Sequence, residues 1–275
     1  MTNSTQFNEI IEERYQFCIW MYRIKKETDK RNKEKRERGE KNLVYMGIFA
    51  LPSHIKKLFW DFMKTPQYTH LSTLKGYSRN TMCITHNENK TYSGRMDGTI
   101  RIWNTETQET IAILRGHTNF VNCLTVHGNK LYSGSSDDTI CVWNTETYEK
   151  ITTLRGHKKS VNCLTHDGNK LFSGSDDKTI RIWNTETYEE TATLRGHTHW
   201  VYCLTHYENK LYSGSWDKTI RIWNTETYEQ IATLRHTGDV MCLTLHENKL
   251  YSGSVYKTVE GGLLVLDGTI RVWKI

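Results

Sequence analysis

Proline is almost absent from this chain of 275 residues: Pro52 and Pro66 are its only two. Since a proline cannot donate a ladder hydrogen bond, the proline-free region after Pro66 is compatible with a long succession of strands. No apolar run approaches the length of a membrane-spanning helix. The acidic stretch 7–13 argues against a secretory signal peptide. These features predict a protein without a membrane span.

Glycine-rich phosphate loops, metal-ligand clusters and nucleophile constellations outside the repeats are also missing, which argues against an enzyme, a cofactor or a metal. The chain does contain seven cysteines. Five of them occupy one equivalent strand position, so we interpret them as small buried side chains rather than disulfides or metal ligands; they are Cys83, Cys123, Cys163, Cys203 and Cys242. Free thiols indicate a reducing compartment, cytoplasmic or nuclear.

What the chain has in abundance is one segment written five times. Four tryptophans recur at intervals of 40 residues and a fifth follows: Trp103, Trp143, Trp183, Trp223 and Trp273. Each lies in a stretch like LYSGSxDKTIRIWNTET, after a stretch like LRGHxxxVxCLT. A period of this length, with Gly-His early and Trp late, is typical of a β-propeller blade.

Short runs of β-forming residues divide each repeat into four strands. In the second copy the runs are Val121–Thr125, Leu131–Ser135, Thr139–Trp143 and Ile151–Leu154. Turn signals separate them at 127–130 and 135–138, and Asn144 favours an Asx turn. The pattern predicts one four-stranded antiparallel sheet per repeat.

These repeats resemble the WD-repeat family over about residues 69–275, with Asn, or Lys274 in the last copy, in place of the Asp that follows Trp in that family. The resemblance implies an all-β propeller of five four-stranded blades. It also implies structural tetrads in which Trp, Ser, His and Asp hydrogen-bond in series, rather than a hydrolase triad. The tetrads are His117, Ser133, Asp137 and Trp143; His157, Ser173, Asp177 and Trp183; and His197, Ser213, Asp217 and Trp223.

The first and last copies depart from the pattern. The first has Lys75-Gly76-Tyr77 in place of Gly-His, and the fifth has lost its glycine before His236. The fifth also carries an insertion at 255–265. We expect an outer strand at 69–75 to complete the last blade and close the ring, with an incomplete ring as the alternative.

Residues 1–68 form a separate, charged segment that we predict to be helical, with an amphipathic helix from about Phe7 to Ile24. The stretch 23–41 has ten basic and five acidic residues, a balance of +5. Interleaved charge of this kind usually marks a solvated helix, so nucleic-acid or anionic-membrane contact is weakly supported. The amphipathic helix is instead a candidate element for self-association.

A second helix is predicted from Ser53 to Met63. The stretch 51–59 loosely resembles the opening of an F-box, which would imply substrate recognition for a ubiquitin ligase complex through residues 51–63. The repeats begin by about Thr69, however, and leave no room for the rest of an F-box.

Partner-binding positions follow from the resemblance to the heterotrimeric G-protein beta subunit, whose partners use the narrow top face of the propeller. Carried over, the protein-binding candidates are Phe120, Asn122, Trp200, Tyr202, Trp216 and Met241. Three aromatics of the fourth copy should meet there, either as a binding site or simply packed on one another. The prediction is an adaptor or scaffold that presents this face to protein or peptide partners.

Overall fold

The computed structural model describes residues 81–260 and 263–275, with side chains from 256 to 267 excepted. The chain divides into two units, Met1–Leu71 and Ser72–Ile275. All described residues belong to the second unit. The predicted helices within residues 1–68, the F-box-like stretch 51–63 and the closing strand 69–75 lie outside the described residues.

Nineteen strands and no helix make up the described part of the chain. They form five antiparallel sheets in which neighbours in sequence are neighbours in space. Sheet 1 contains β1 (Thr81–Asn87), β2 (Lys90–Arg95), β3 (Ile100–Asn104) and β4 (Thr110–Leu114). Sheet 2 contains β5 (Val121–His127), β6 (Lys130–Ser135), β7 (Thr139–Asn144) and β8 (Lys150–Arg155).

The same plan continues through the later repeats. Sheet 3 contains β9 (Val161–Asp167), β10 (Lys170–Ser175), β11 (Ile180–Asn184) and β12 (Glu190–Leu194). Sheet 4 contains β13 (Val201–Tyr207), β14 (Lys210–Ser215), β15 (Thr219–Asn224) and β16 (Gln230–Arg235). Sheet 5 contains three described strands, β17 (Asp239–His246), β18 (Lys249–Glu260) and β19 (Leu263–Lys274). The predicted all-β repeat architecture is confirmed.

The turns follow the local sequence. Only Gly128 and Asn129 separate β5 from β6, and Gly128 has the positive φ of 57° that a tight hairpin needs. The Asn144 side-chain oxygen accepts hydrogen bonds from the backbone N–H groups of Glu146 and Thr147 at 2.7 and 2.9 Å. This is the predicted Asx turn.

The apolar core lies between successive sheets. Ile100 and Ile102 of sheet 1 pack with Val121, Leu131 and Trp143 of sheet 2, and all five side chains are buried. Equivalent contacts join sheets 2 and 3, 3 and 4, and 4 and 5. Each such contact, called a junction below, buries the forward face of one sheet against the rear face of the next.

Sheets 1 and 5 make no comparable junction within the described residues. Ile84 on the rear face of sheet 1 is 68% exposed, and Ile270 on the forward face of sheet 5 is 61% exposed. Cys242, predicted to be buried, is exposed for the same reason: among the described residues, no sheet covers the forward face of sheet 5. The described strands alone therefore do not join sheet 5 to sheet 1, and the predicted closure through residues 69–75 lies outside the described residues.

The insertion in the fifth copy is a hairpin extension. Strands β18 and β19 stay paired without a break from Lys249–Lys274 to Glu260–Leu263. Among the described residues there is no helix able to cross a membrane and no cluster of potential metal ligands. The six described cysteines are free thiols.

Candidate functional site

Each of the three complete tetrads is a continuous hydrogen-bonded series. His117 Nδ1 donates to the Asp137 carboxylate at 2.8 Å, and His117 Nε2 lies 2.7 Å from Ser133 Oγ. The Trp143 indole donates to the same hydroxyl at 2.8 Å. The third and fourth copies repeat these distances to within 0.1 Å through His157, Asp177, Ser173 and Trp183, and through His197, Asp217, Ser213 and Trp223.

In the tetrad of the second copy, the pKa values of the histidine and the aspartate are shifted in opposite directions. Burial is the largest influence on the pKa of His117 and alone would lower it, but the hydrogen bonds and charges of Asp137 and Cys141 together outweigh burial and raise that pKa to about 9. Burial alone would raise the pKa of Asp137, but its bonds to His117 and Thr139 hold it well below its usual range. The two side chains form an ion pair over the ordinary pH range.

The tetrad serines are unsuited to nucleophilic catalysis. Ser133, Ser173 and Ser213 each have 0% exposed surface. Each hydroxyl already accepts an indole N–H, so a substrate could reach it only after the blade opened. Cys83 is equally inert, because burial raises the pKa of its thiol to about 12.

In the two divergent copies, other side-chain contacts replace the complete tetrad, and the sequence did not reveal them. In sheet 1, Arg95 stands where later copies have serine, and its Nε lies 3.5 Å from an Asp97 carboxylate oxygen. In sheet 5, His236 stacks edge-on against Trp273 at 6.4 Å, as His117 does against Trp143. The positions were visible in the sequence, but these contacts depend on side-chain reach across the blade.

A β-bulge places the candidate binding residues at one end of each sheet. In sheets 2, 4 and 5 the register of the inner strand shifts at Asn122, Tyr202 and Met241. A bulge leaves one residue outside the ladder and turns its side chain away from the regular alternation. The backbone N–H of Trp216 donates to Trp200 O at 3.0 Å, which brings the two tryptophans to the same edge.

Four of the six predicted binding residues meet in one group. Trp200 and Trp216 have ring centroids 4.6 Å apart, and Tyr202 stacks on Trp216 at 5.8 Å. His199, which the prediction missed, stacks on Trp216 from another side at 5.8 Å. The Trp216 indole donates to Met241 Sδ at 3.2 Å, which links sheet 4 to sheet 5. These five residues are called the rim cluster below.

The other two predicted residues lie apart from the rim cluster. Asn122 donates to Val161 O at 3.0 Å and to Ser136 Oγ at 2.9 Å, so its amide joins sheet 2 to sheet 3. Phe120 is 37% exposed at the edge of sheet 2. Sequence position alone did not separate a side chain used internally, such as Asn122, from one that remains available, such as Phe120.

Comparison with known proteins agrees with the repeat geometry. The family model "WD domain, G-beta repeat" matches residues 68–104, 108–144, 148–184, 188–224 and 228–274. Comparison with curated proteins gives no match.

Several solved structures are similar in fold. "Structure of U3-55K" has a TM-score of 0.64 at 22% identity, covering 73% of this chain and 63% of that chain. "Crystal structure of RRP9 WD40 repeats" has a TM-score of 0.62 at 24% identity, covering 66% and 59%. "Crystal Structure of Mitotic Checkpoint Complex" has a TM-score of 0.63 at 24% identity, covering 71% and 67%. This chain spans less than two thirds of the first two chains.

Proposed function

The chain belongs to the WD-repeat family, and on that basis we propose that it is a protein-interaction scaffold whose rim cluster anchors a protein or peptide partner. The observation that carries the proposal is the convergence of two tryptophans, a tyrosine and a histidine on one edge. Aromatic side chains of this kind dominate binding hot spots. Family membership supports the scaffold role in general, and the rim cluster supports the particular site.

The contrast between repeats supports a role beyond packing. At the corresponding positions sheet 2 has Asn122 and Ser136, and sheet 3 has Asn162 and Asp176, which hydrogen-bond to each other. Both asparagines also bond to the next sheet, at 3.0 and 3.1 Å. Sheet 4 gives up that bond, because Tyr202 replaces the asparagine. Since sheets 2 and 3 use polar residues at these positions, the junctions between sheets do not need aromatic residues there for stability.

The rim cluster is accessible as well as organised. Tyr202 is 37% exposed, and Trp200 and Trp216 are partly exposed. Within the described residues, neither the Trp200 indole N–H nor the Tyr202 hydroxyl has a hydrogen-bond partner. Large apolar surface with available polar tips suits an anchor for a peptide backbone.

The test is comparative affinity purification from the native cell, followed by quantitative mass spectrometry. Bait chains would be wild type, the double variant Trp200→Ala with Trp216→Ala, and a control with Asp at Asn129 and Asn169. The control changes lie in turns at the opposite ends of the strands. We expect the double variant to lose at least one partner that wild type and the control recover equally.

Melting temperature decides how that result is interpreted. Because the rim lies outside the inter-sheet core, the double variant should melt close to wild type. Unfolding of the double variant would show that the tryptophans are packing residues, and unimpaired recovery by a folded variant would place the binding surface elsewhere. Recovery of ubiquitin-ligase core subunits by all three baits would instead indicate the role suggested by residues 51–63.

A further inference from the structure

Two sheet faces have no neighbouring sheet in the described part of the chain. On the forward face of sheet 5, Ile270 and Val272 are 61% and 57% exposed. On the rear face of sheet 1, Ile84 is 68% exposed. Ile220, the equivalent of Ile270 in sheet 4, is 0% exposed because sheet 5 covers it. The two faces are therefore the two halves of a fifth junction.

Their polar groups match as well. At the junction of sheets 2 and 3, Thr125 Oγ1 lies 3.1 Å from His166 Nδ1, and the next junction repeats the contact at 3.2 Å. Sheet 5 has the threonine, Thr244, and sheet 1 has the histidine, His86; both are exposed. At the first and fourth junctions the histidine is replaced by apolar residues, Val126 and Leu245. The hydrogen-bond partner of His86 would therefore be Thr244 of sheet 5.

A lysine contact gives a second, independent match. Lys90 Nζ of sheet 1 donates to Thr145 O of sheet 2 at 2.9 Å, and the two following junctions repeat this bond at 2.8 Å. Thr145 is only 7% exposed as a result. The unmatched halves of this bond are Lys249 of sheet 5 and Thr105 of sheet 1, and both are exposed.

We propose that the forward face of sheet 5 in one copy binds the rear face of sheet 1 in a second copy, head to tail. The contact would repeat the junction that the chain already makes four times, with Thr244 bonded to His86 and Lys249 to Thr105 O. The occupant we propose is a second copy because these two faces match each other in apolar and polar groups, while the described residues of sheets 1 and 5 in one chain do not bury the faces on each other. A head-to-tail dimer still has one uncovered sheet face at each of its two ends.

Light scattering of the full chain after size-exclusion chromatography tests the proposal. Wild type should show a mass above that of the 32.3 kDa monomer, rising with concentration. Ile84→Asp and Ile270→Asp should each lose this association, because a carboxylate would be buried in an apolar contact. Ile231→Asp is the control: Ile231 is 52% exposed on β16, away from both faces, and the variant should associate like wild type.

Mixing the two defective variants reveals the direction of the contact. Ile84→Asp keeps an intact sheet 5 face, and Ile270→Asp keeps an intact sheet 1 face. Together they should form a one-to-one dimer and nothing larger. A wild type that is monomeric at every concentration, as closure within one chain would give, overturns the proposal. A mixture of folded variants that stays monomeric overturns it too.

Milder changes keep the test valid if an aspartate variant fails to fold, which circular dichroism would show. His86→Ala and Thr244→Ala should each weaken association by about 2- to 10-fold, the range for one hydrogen bond. Because both changes remove the same hydrogen bond, the double variant should associate no more weakly than either single variant. Additive losses would mean that these two side chains do not contact each other, against the proposed register.

Discussion

Asp177 and Asp97 occupy the same position in two repeats but have different surroundings. The Asp177 side chain is 9% exposed and 2.8 Å from His157. The Asp97 side chain is 30% exposed and 3.5 Å from Arg95. A carboxylate that bonds a buried imidazole should contribute more to stability than one at the surface of its blade.

We therefore expect Asp177→Ala to lower the free energy of unfolding by about 1–3 kcal/mol, because it strands His157 in the interior. Asp97→Ala should cost less. Urea unfolding of the two variants beside wild type measures both. Equal losses at the two positions would contradict the assignment of the tetrads.

The His117–Asp137 pair should also make stability depend on pH. Because the pKa of Asp137 lies below its usual range in the folded chain, its contribution is lost as pH falls below about 4. Because the pKa of His117 rises from 6.5 to about 9 on folding, its contribution is present below 6.5 and is lost as pH rises through 9.

The stability difference between wild type and His117→Gln should therefore be largest near pH 5 and smaller at both pH extremes. Urea titrations at a series of pH values measure this difference directly. A difference that stays constant with pH would show that His117 contributes by packing alone.

At the scale of the sheet, junction glycines distinguish a covered face from an open one. A methyl group on Gly134 would lie 2.6 Å from Cys123 Sγ and 2.7 Å from Val161 Cγ1 of the next sheet. A methyl group on Gly253 would meet Cys242 Sγ at 2.5 Å, and no other described atom lies within 4 Å.

Gly134→Ala should consequently lower the free energy of unfolding by about 1–3 kcal/mol through overpacking. Gly253→Ala should cost less, since only one side chain must move. The measurement belongs at protein concentrations low enough to keep the chain monomeric. A greater loss for Gly253→Ala would mean that sheet 5 is covered in the isolated chain.

Strands and turns were predictable because they depend on local sequence. The repeat period located the four strands of each blade, and Gly128 and Asn144 located their turns. Exposure was not predictable in this way. Ile220 and Ile270 stand in nearly identical sequence, yet one is 0% and the other 61% exposed, because among the described residues only Ile220 has a neighbouring sheet packed against it.

The rim cluster shows the same division. Four of its members were identified from their positions in the repeat, and the three aromatics of the fourth copy were expected to meet, but His199 and the contact between Trp216 and Met241 were not. Asn122 has the same position as Tyr202, and its amide is engaged by Val161 O of the next sheet. Whether a side chain at this bulge serves the fold or a partner depends on reach and polarity across a junction, which the repeat pattern does not encode.

At the scale of the whole molecule, five similar sheets carry different surfaces. The junctions are nearly uniform, and the divergent residues gather at one edge of sheets 4 and 5. A rigid array of this kind can hold an aromatic surface in place without burying it in the core. We propose that the rim cluster is that surface.

Hydrogen exchange of the chain, alone and with a partner recovered by the affinity purification, tests the claim most directly. Backbone amides of residues 199–202, 215–217 and 240–242 should exchange more slowly in the complex. The turns at 128–129 and 168–169, at the other end of the strands, should exchange unchanged. Slower exchange confined to those turns, with the rim cluster unaffected, would contradict the account.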